Sequence, residues 1–254
     1  MDAATLKQLI FKCDPYDGFD VSRYELDKRG WFDNEASFEV IFDLIRPVVT
    51  LELGVWYGES LRWTAQKLNQ LHGDPLAPGA GHMAIGVDTW LGSVEHWDSS
   101  ENAKTRFGAL NTVNGYPQFY YQFLANTVIS GLQDTIVPFP TTSLDAMRYL
   151  KKYGIKADVI FVDGSHSYPD VYNDLTAAKD LLRGPDSVLI GDDLSPWFPD
   201  VAKSVKHFRE ENPGWKLIKD GFGFLLLHPD STLDIRLPKR PPRQRKNVKT
   251  DGLV

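Results

Sequence analysis

A single cysteine, Cys13, is all that the 254 residues contain, so no internal disulfide can form and the chain suits a reducing compartment. No stretch approaches the roughly 20 apolar residues needed to span a bilayer. The N-terminus, MDAATLKQLIFKCD, carries charges where a secretory segment has its apolar core. The expected location is therefore cytoplasmic, with no membrane span. Internal repeats and low-complexity linkers are also missing, and a chain of this length with 42% hydrophobic residues can bury one sizeable core. Acidic residues are absent between Arg236 and Lys249, where seven Lys/Arg lie. The rest of the chain sets 21 Lys/Arg against 34 Asp/Glu, a balance of −13, which argues against nucleic acid as a partner. The proline-broken basic tail reads as a solvated, poorly ordered terminus. Homo-oligomerisation is left open.

Against these absences stands a regular alternation of elements. Helices are expected over 3–12, 35–46, 59–71, 117–132, 143–152, 169–182 and 197–211. Pro47 ends the second, Thr142 or Ser143 caps the fifth, and Pro169 sits in the first turn of the sixth. Short β-branched or apolar runs predict strands at 48–51, 83–88, 134–139, 157–162 and 187–190. Two further runs, 215–219 and 222–227, flank Asp220-Gly221 and predict a terminal hairpin. The fold class is α/β: a Rossmann-like, doubly wound, seven-stranded sheet ending in an antiparallel hairpin strand. Residues 1–34 form an N-terminal helix and aromatic loop, 35–229 the main domain, and 230–254 the basic tail. The 89–115 segment is long and irregular, as functional loops are. With Tyr16, Phe19 and Trp31 of the N-terminal segment it is the candidate lid and acceptor wall.

The turn after the first strand lacks the Gly-x-Gly-x-x-Gly spacing that lets backbone press against a pyrophosphate. It reads Gly54-Val55-Trp56-Tyr57-Gly58, with Trp56 where the middle glycine belongs. A nucleoside with an amino-acid tail suits it better than a dinucleotide. Glu52 and Asp88 both fall at C-terminal strand ends, where open α/β sheets bind ligands, and Asp88 is placed to accept from ribose hydroxyls. Either residue alone could merely cap a loop; together with the terminal hairpin they favour a nucleoside site.

Glu52-Leu53-Gly54-x-x-x-Gly58, Val87-Asp88 and the terminal hairpin resemble class I S-adenosylmethionine-dependent methyltransferases over about residues 35–229. That resemblance implies a sheet with one antiparallel strand, 222–227 here. It places Glu52 and Gly54 at the methionine moiety, Asp88 on the ribose, Thr89 and Trp90 flanking the adenine, and Ser143 at its edge. With Gly58 and Asp163 these complete the expected cofactor contacts, whereas Trp56 and Tyr57 are held as wall or core residues.

A second concentration of chemistry closes the fourth and fifth strands. Asp163, Asp192 and Asp193 should converge there, since neighbouring parallel strands lie about 4.8 Å apart. Crowded carboxylates raise one another's pKa unless a cation neutralises them, and oxygen ligands select a hard ion, Mg²⁺ or Ca²⁺. An Asp after a strand is also a common helix N-cap, so the trio carries the metal reading and no single member does. His166, three residues past Asp163, is the candidate general base; a lone loop histidine is ordinarily a surface residue, and this setting lifts it. His96 and the remaining histidines have no such setting.

The runs Val162-Asp163-Gly164-Ser165-His166-Ser167-Tyr168 and Gly191-Asp192-Asp193 resemble the metal-dependent O-methyltransferase branch. They are similar to macrocin O-methyltransferase and cephalosporin hydroxylase-like proteins, and more distantly to catechol O-methyltransferases. The resemblance implies Mg²⁺ ligands at Asp163, Asp192 and Asp193 and a base at His166. The expected function is Mg²⁺-dependent methyl transfer from S-adenosylmethionine to a hydroxyl of a sugar, glycoside or other diol-bearing small molecule. A non-catalytic binding protein of the same fold and a nicotinamide-type oxidoreductase are the alternatives, the latter disfavoured by Trp56. No His-x-Asp/Glu iron triad can be placed, which sets hydroxylase chemistry low.

Overall fold

The computed structural model describes residues 1–98 and 108–238. Residues 99–107 of the expected lid loop and 239–254 of the basic tail lie outside that description. In chain order the helices are α1 (Ala3–Phe11), α2 (Glu35–Ile45), α3 (Glu59–His72), α4 (Phe119–Ile129), α5 (Ser143–Lys152), α6 (Asp170–Lys179) and α7 (Pro199–Glu211). The strands are β1 (Val49–Leu53), β2 (Met83–Asp88), β3 (Ile136–Pro140), β4 (Val159–Val162), β5 (Val188–Gly191), β6 (Lys216–Asp220) and β7 (Gly223–Leu227). They form one sheet in the order β3-β2-β1-β4-β5-β7-β6. Strands β1 to β5 pair in parallel, and β7 runs antiparallel to both its neighbours. The fold is thus α/β and Rossmann-like, with the single reversed strand where it was expected.

Helices cover both faces, which is why β2 to β5 read as continuous apolar runs rather than alternating ones. One face packs α1, α5, α6 and α7 against Leu51, Ile160 and Leu189; the other packs α2, α3 and α4 against Val159, Phe161 and Ile190. Strand β1 runs two residues further than its apolar pattern suggested. Its pattern ends at Glu52 by composition, but the whole of β1 is buried and pairs with β2 and β4 through Leu53. Helix ends follow local chemistry. Asp2 caps α1 by accepting from the Thr5 amide at 2.8 Å, and Thr142, not Ser143, caps α5 by accepting from Asp145. Arg46, left-handed at φ 50°, closes α2 just before Pro47. In the hairpin Asp220 pairs with Gly223, so Gly221-Phe222 are the loop residues and the Asp-Gly dipeptide straddles its start.

The chain lays β1, β2 and β3 outward in one direction, then returns to place β4 on the other side of β1. That reversal opens a crevice at the C-terminal strand ends, where ligands of such sheets bind. The first 34 residues are built into the body. Leu6 of α1 is fully buried in the core, and the buried Lys7 ammonium pairs with Asp14 and donates to the Gln133 carbonyl at 3.0 Å. Tyr16, expected on an acceptor wall, is instead buried with its hydroxyl donating to the Ile136 carbonyl. Phe19 likewise packs on Tyr24 against the core. Among the described residues no helix is long and apolar enough to cross a membrane.

Candidate active site

A cavity of about 2220 Å³ runs along the C-terminal edge of the sheet, from the loop after β3 to the β6–β7 turn. Its centre is the turn between β1 and α3. Gly54 (φ 87°), Trp56 (φ 54°) and Gly58 (φ 79°) all adopt left-handed backbone there. At Gly54 glycine is required twice over: the φ disfavours any side chain, and a Cβ would run into the Asp163 carbonyl oxygen of the neighbouring strand end. The turn is tied down by Asp88, whose Oδ2 accepts from the amides of Val55 (2.8 Å) and Trp56 (2.9 Å) and whose Oδ1 accepts from Trp90 (2.8 Å). Three of its lone pairs are therefore engaged by backbone, leaving one on Oδ1 for a ligand hydroxyl.

Of the expected cofactor contacts, Gly54, Asp88, Thr89, Ser143 and Asp163 are in the cavity wall. Glu52, Gly58 and Trp90 are not, and each is displaced for a physical reason. Glu52 is 3% exposed and accepts from Ser60 Oγ at 2.6 Å, so Ser60 meets the cavity in its place. Burial pushes the Glu52 carboxyl up to about 8; the Ser60 hydrogen bond opposes that rise and the Asp88 charge adds to it. Gly58 opens α3 against the Phe123 ring. Trp90 is 1% exposed, packed on Tyr120 and Phe123 of α4, with its indole N–H donating to the Trp56 carbonyl at 2.9 Å.

The acidic ends of β4 and β5 do meet. Asp163 sits on the cavity floor, its carboxyl raised well above the ordinary range by burial first and then by Asp192, Asp193 and Glu52, with His166 opposing. His166 Nε2 lies 2.9 Å from Asp193 Oδ2, and the imidazole packs on the Phe198 ring at 4.2 Å. Ligand atoms of Asp163, His166 and Asp193 all lie within 4.8 Å of one another. Of the expected metal trio, Asp163 and Asp193 come together with His166, and Asp192 lines the same cavity. Successive residues leaving a strand project to opposite sides, and the left-handed Asp193 (φ 60°) turns its carboxylate to His166. Asp192, buried, has Oδ1 3.7 Å from where a Cβ on Gly223 would stand, and it acts on Asp163 as a nearby charge.

Sequence reasoning passed over three residues of this cavity. Asp174 of α6 is buried beside Ser143, its carboxyl raised by burial to about 7, with the Ser143 hydrogen bond opposing. His96 stacks on Trp56 with centroids 4.3 Å apart, and its Nδ1 accepts from the Ser93 amide. Trp197 lines the cavity with 56% of its surface exposed. None had a local signal, since a helix aspartate, a loop histidine and a loop tryptophan each have ordinary uses. Trp31, expected on the acceptor wall, is in the cavity lining and 59% exposed.

A crevice at the strand reversal, a glycine turn after β1 and acids closing β2, β4 and β5 define a ligand-binding α/β enzyme of the methyltransferase class. The chain belongs to a family described as a methyltransferase domain, whose model matches residues 51–194. Solved structures share the fold. An O-methyltransferase from Bacillus cereus in complex with SAH is 15% identical with a TM-score of 0.53, over 82% of this chain and 86% of that one. The calicheamicin methyltransferase CalS11 is 19% identical with a TM-score of 0.51, over 76% of each chain. TomG from Streptomyces achromogenes, an O-methyltransferase of tomaymycin synthesis solved with SAM, is 19% identical with a TM-score of 0.52, over 89% and 95%. No curated protein matched the chain.

Proposed function

We propose that this methyltransferase moves a methyl group from S-adenosylmethionine to a hydroxyl of a small, diol-bearing acceptor such as a sugar or glycoside. The observation that carries the reading is the His166–Asp193 pair at 2.9 Å, beside Asp163 in the same cavity as the glycine turn. S-adenosylmethionine supplies an electrophilic methyl on a positively charged sulfur. Gly54, Asp88, Thr89 and Ser143 line the half of the cavity that suits its nucleoside, and the crowded acids suit a cationic donor. The O-methyltransferase, SAH and SAM named for fold neighbours support this choice of donor and acceptor atom.

An alcohol is a weak nucleophile until its proton is removed. His166 takes that proton, and Asp193 orients the ring and stabilises the imidazolium that results. Asp163 and Asp193 offer carboxylate oxygens for a divalent ion such as Mg²⁺, with Asp192 adding charge behind them. A hard cation there would lower the pKa of a neighbouring hydroxyl and relieve the repulsion among the acids. The oxygens of Asp163 and Asp193 suit such an ion, and the His166 imidazole beside them is kept for the proton.

The test is transfer of label from S-adenosylmethionine to sugar and phenolic acceptors, with Mg²⁺ and with chelator, in wild type and His166→Ala. Transfer should fall about 10²- to 10⁴-fold in the variant and should fall in chelator. Equal turnover with and without chelator removes the metal, and unchanged transfer in His166→Ala removes the base.

A further inference from the structure

The donor reading accounts for one half of the cavity. Its residues follow β1, β2 and β3, which occupy one side of the sheet from the strand reversal outward. The other half, above β4, β5 and the β6–β7 turn, begins at Asp163 and His166 and continues over aromatic surface. There the segment after β5 is held in a tight set of turns. Ser195 N donates to the Asp193 carbonyl at 2.7 Å, Trp197 N donates to Ser195 Oγ at 3.3 Å, and Ser195 itself is buried. The Leu194 amide donates to the Phe222 carbonyl, tying this loop to the hairpin tip. Three residues of one loop thus face one site in different capacities: Asp193 holds His166, Phe198 packs under its ring at 4.2 Å, and Trp197 lines the cavity beside them. The Trp197 indole leans on Phe222 at 5.0 Å and 59°, yet more than half of its surface remains uncovered inside the cavity. A large apolar face fixed by backbone hydrogen bonds and left wet is a surface awaiting a flat partner.

We propose that Trp197, backed by Phe222, is the acceptor platform, and that it selects a six-membered ring with one apolar face and adjacent hydroxyls on its edge. This rests on the methyl-transfer reading. A ring seated on the indole shares the cavity with His166, whose partners Asp193 and Phe198 stand on the same loop as Trp197. A pyranoside offers its C–H face and a catechol its π face; the recognition chemistry is shared and the two sources are separable.

Label transfer from S-adenosylmethionine is measured to methyl glucoside in one arm and to catechol in the other, for wild type, Trp197→Ala, Trp197→Phe and Phe222→Ala. The dissociation constant for S-adenosylmethionine is read by calorimetry on each protein. Trp197→Ala should raise KM for the accepted ring about tenfold without moving the donor's dissociation constant, and Trp197→Phe should recover most of the loss. Phe222→Ala, which leaves the loop sequence intact, should raise KM in the same direction and carries the comparison if Trp197→Ala does not fold. An unchanged acceptor KM in both alanine variants overturns the platform. So does failure of wild type to methylate either ring while it binds S-adenosylmethionine, whereas failure to bind the donor at all overturns the methyl-transfer reading itself.

Discussion

Glu52 shows how one buried acid can set the pH behaviour of the unliganded protein. Its folded pKa of about 8 stands above the 4.5 of an unperturbed glutamate, so between those values the folded state holds a proton that the unfolded chain has released. The folded state binds more protons, and stability therefore falls as pH rises across that window. This contribution is present in full below pH 4.5 and gone above about 8. A shift of this size corresponds to on the order of 5 kcal/mol. Glu52→Gln keeps a neutral partner for the Ser60 hydroxyl and cannot ionise. Melting temperatures of wild type and variant should be close at pH 5 and should diverge by pH 9, with the variant the more stable. Curves that stay parallel across that range would show that Glu52 is ionised in the folded protein throughout.

At the scale of elements, the turn between β1 and α3 is stabilised from outside itself. Asp88 on β2 and the Asp163 backbone just past β4 define where Gly54 can go. Gly54→Ala should therefore cost more than the left-handed backbone alone, which is of order 1–3 kcal/mol. Gly73, at φ 88° after α3 with open space around it, isolates the backbone contribution. Urea unfolding should show Gly54→Ala to be clearly the more destabilised of the two, with donor binding lost only there. Equal losses would mean that the approach of β4 relaxes freely. The same dependence on distant strands separates what the sequence made legible from what it did not. Asp88 and Asp163 could be found because each ends an apolar run, and the strand order brings such ends together. The direct pairing of His166 with Asp193 could not, because it depends on the left-handed turn at Asp193. Trp90 follows a strand in the manner of a base-stacking residue, but α4, thirty residues on, supplies Tyr120 and Phe123 to bury it. Composition also stopped β1 too early, since an acid in a strand end reads as surface until Ser60 is seen to satisfy it.

For the molecule as a whole, residues 25–34 form a strap that belongs to no regular element, and its second half, from Arg29 to Asn34, makes one wall of the cavity. One residue of α4 holds it. Asn126, completely buried, accepts the Asp27 amide at 2.9 Å and donates to the carbonyls of Asp27 (2.8 Å) and Tyr57 (2.9 Å). Gln122 adds a bond to the Glu25 carbonyl, and the Arg29 guanidinium lies 4.8 Å from the centre of the Tyr57 ring. Asn126→Ala leaves the Asp27 amide and carbonyl without these partners, while the Tyr57 carbonyl keeps the Arg62 guanidinium at 2.8 Å. The loss therefore falls on the strap rather than on the glycine turn. A half-buried backbone group left without a partner costs up to about 1–3 kcal/mol, and detachment of the strap is the cheapest way to return both to water. Amide exchange should accelerate across residues 25–30 in Asn126→Ala, with the buried amides of α1 and β1 exchanging as in wild type, because Lys7, Tyr16 and Tyr149 anchor the earlier residues independently. If α1 loosens together with the strap, the N-terminal 34 residues come away as one piece, and the cavity wall and the sheet edge beside β3 share a single opening step.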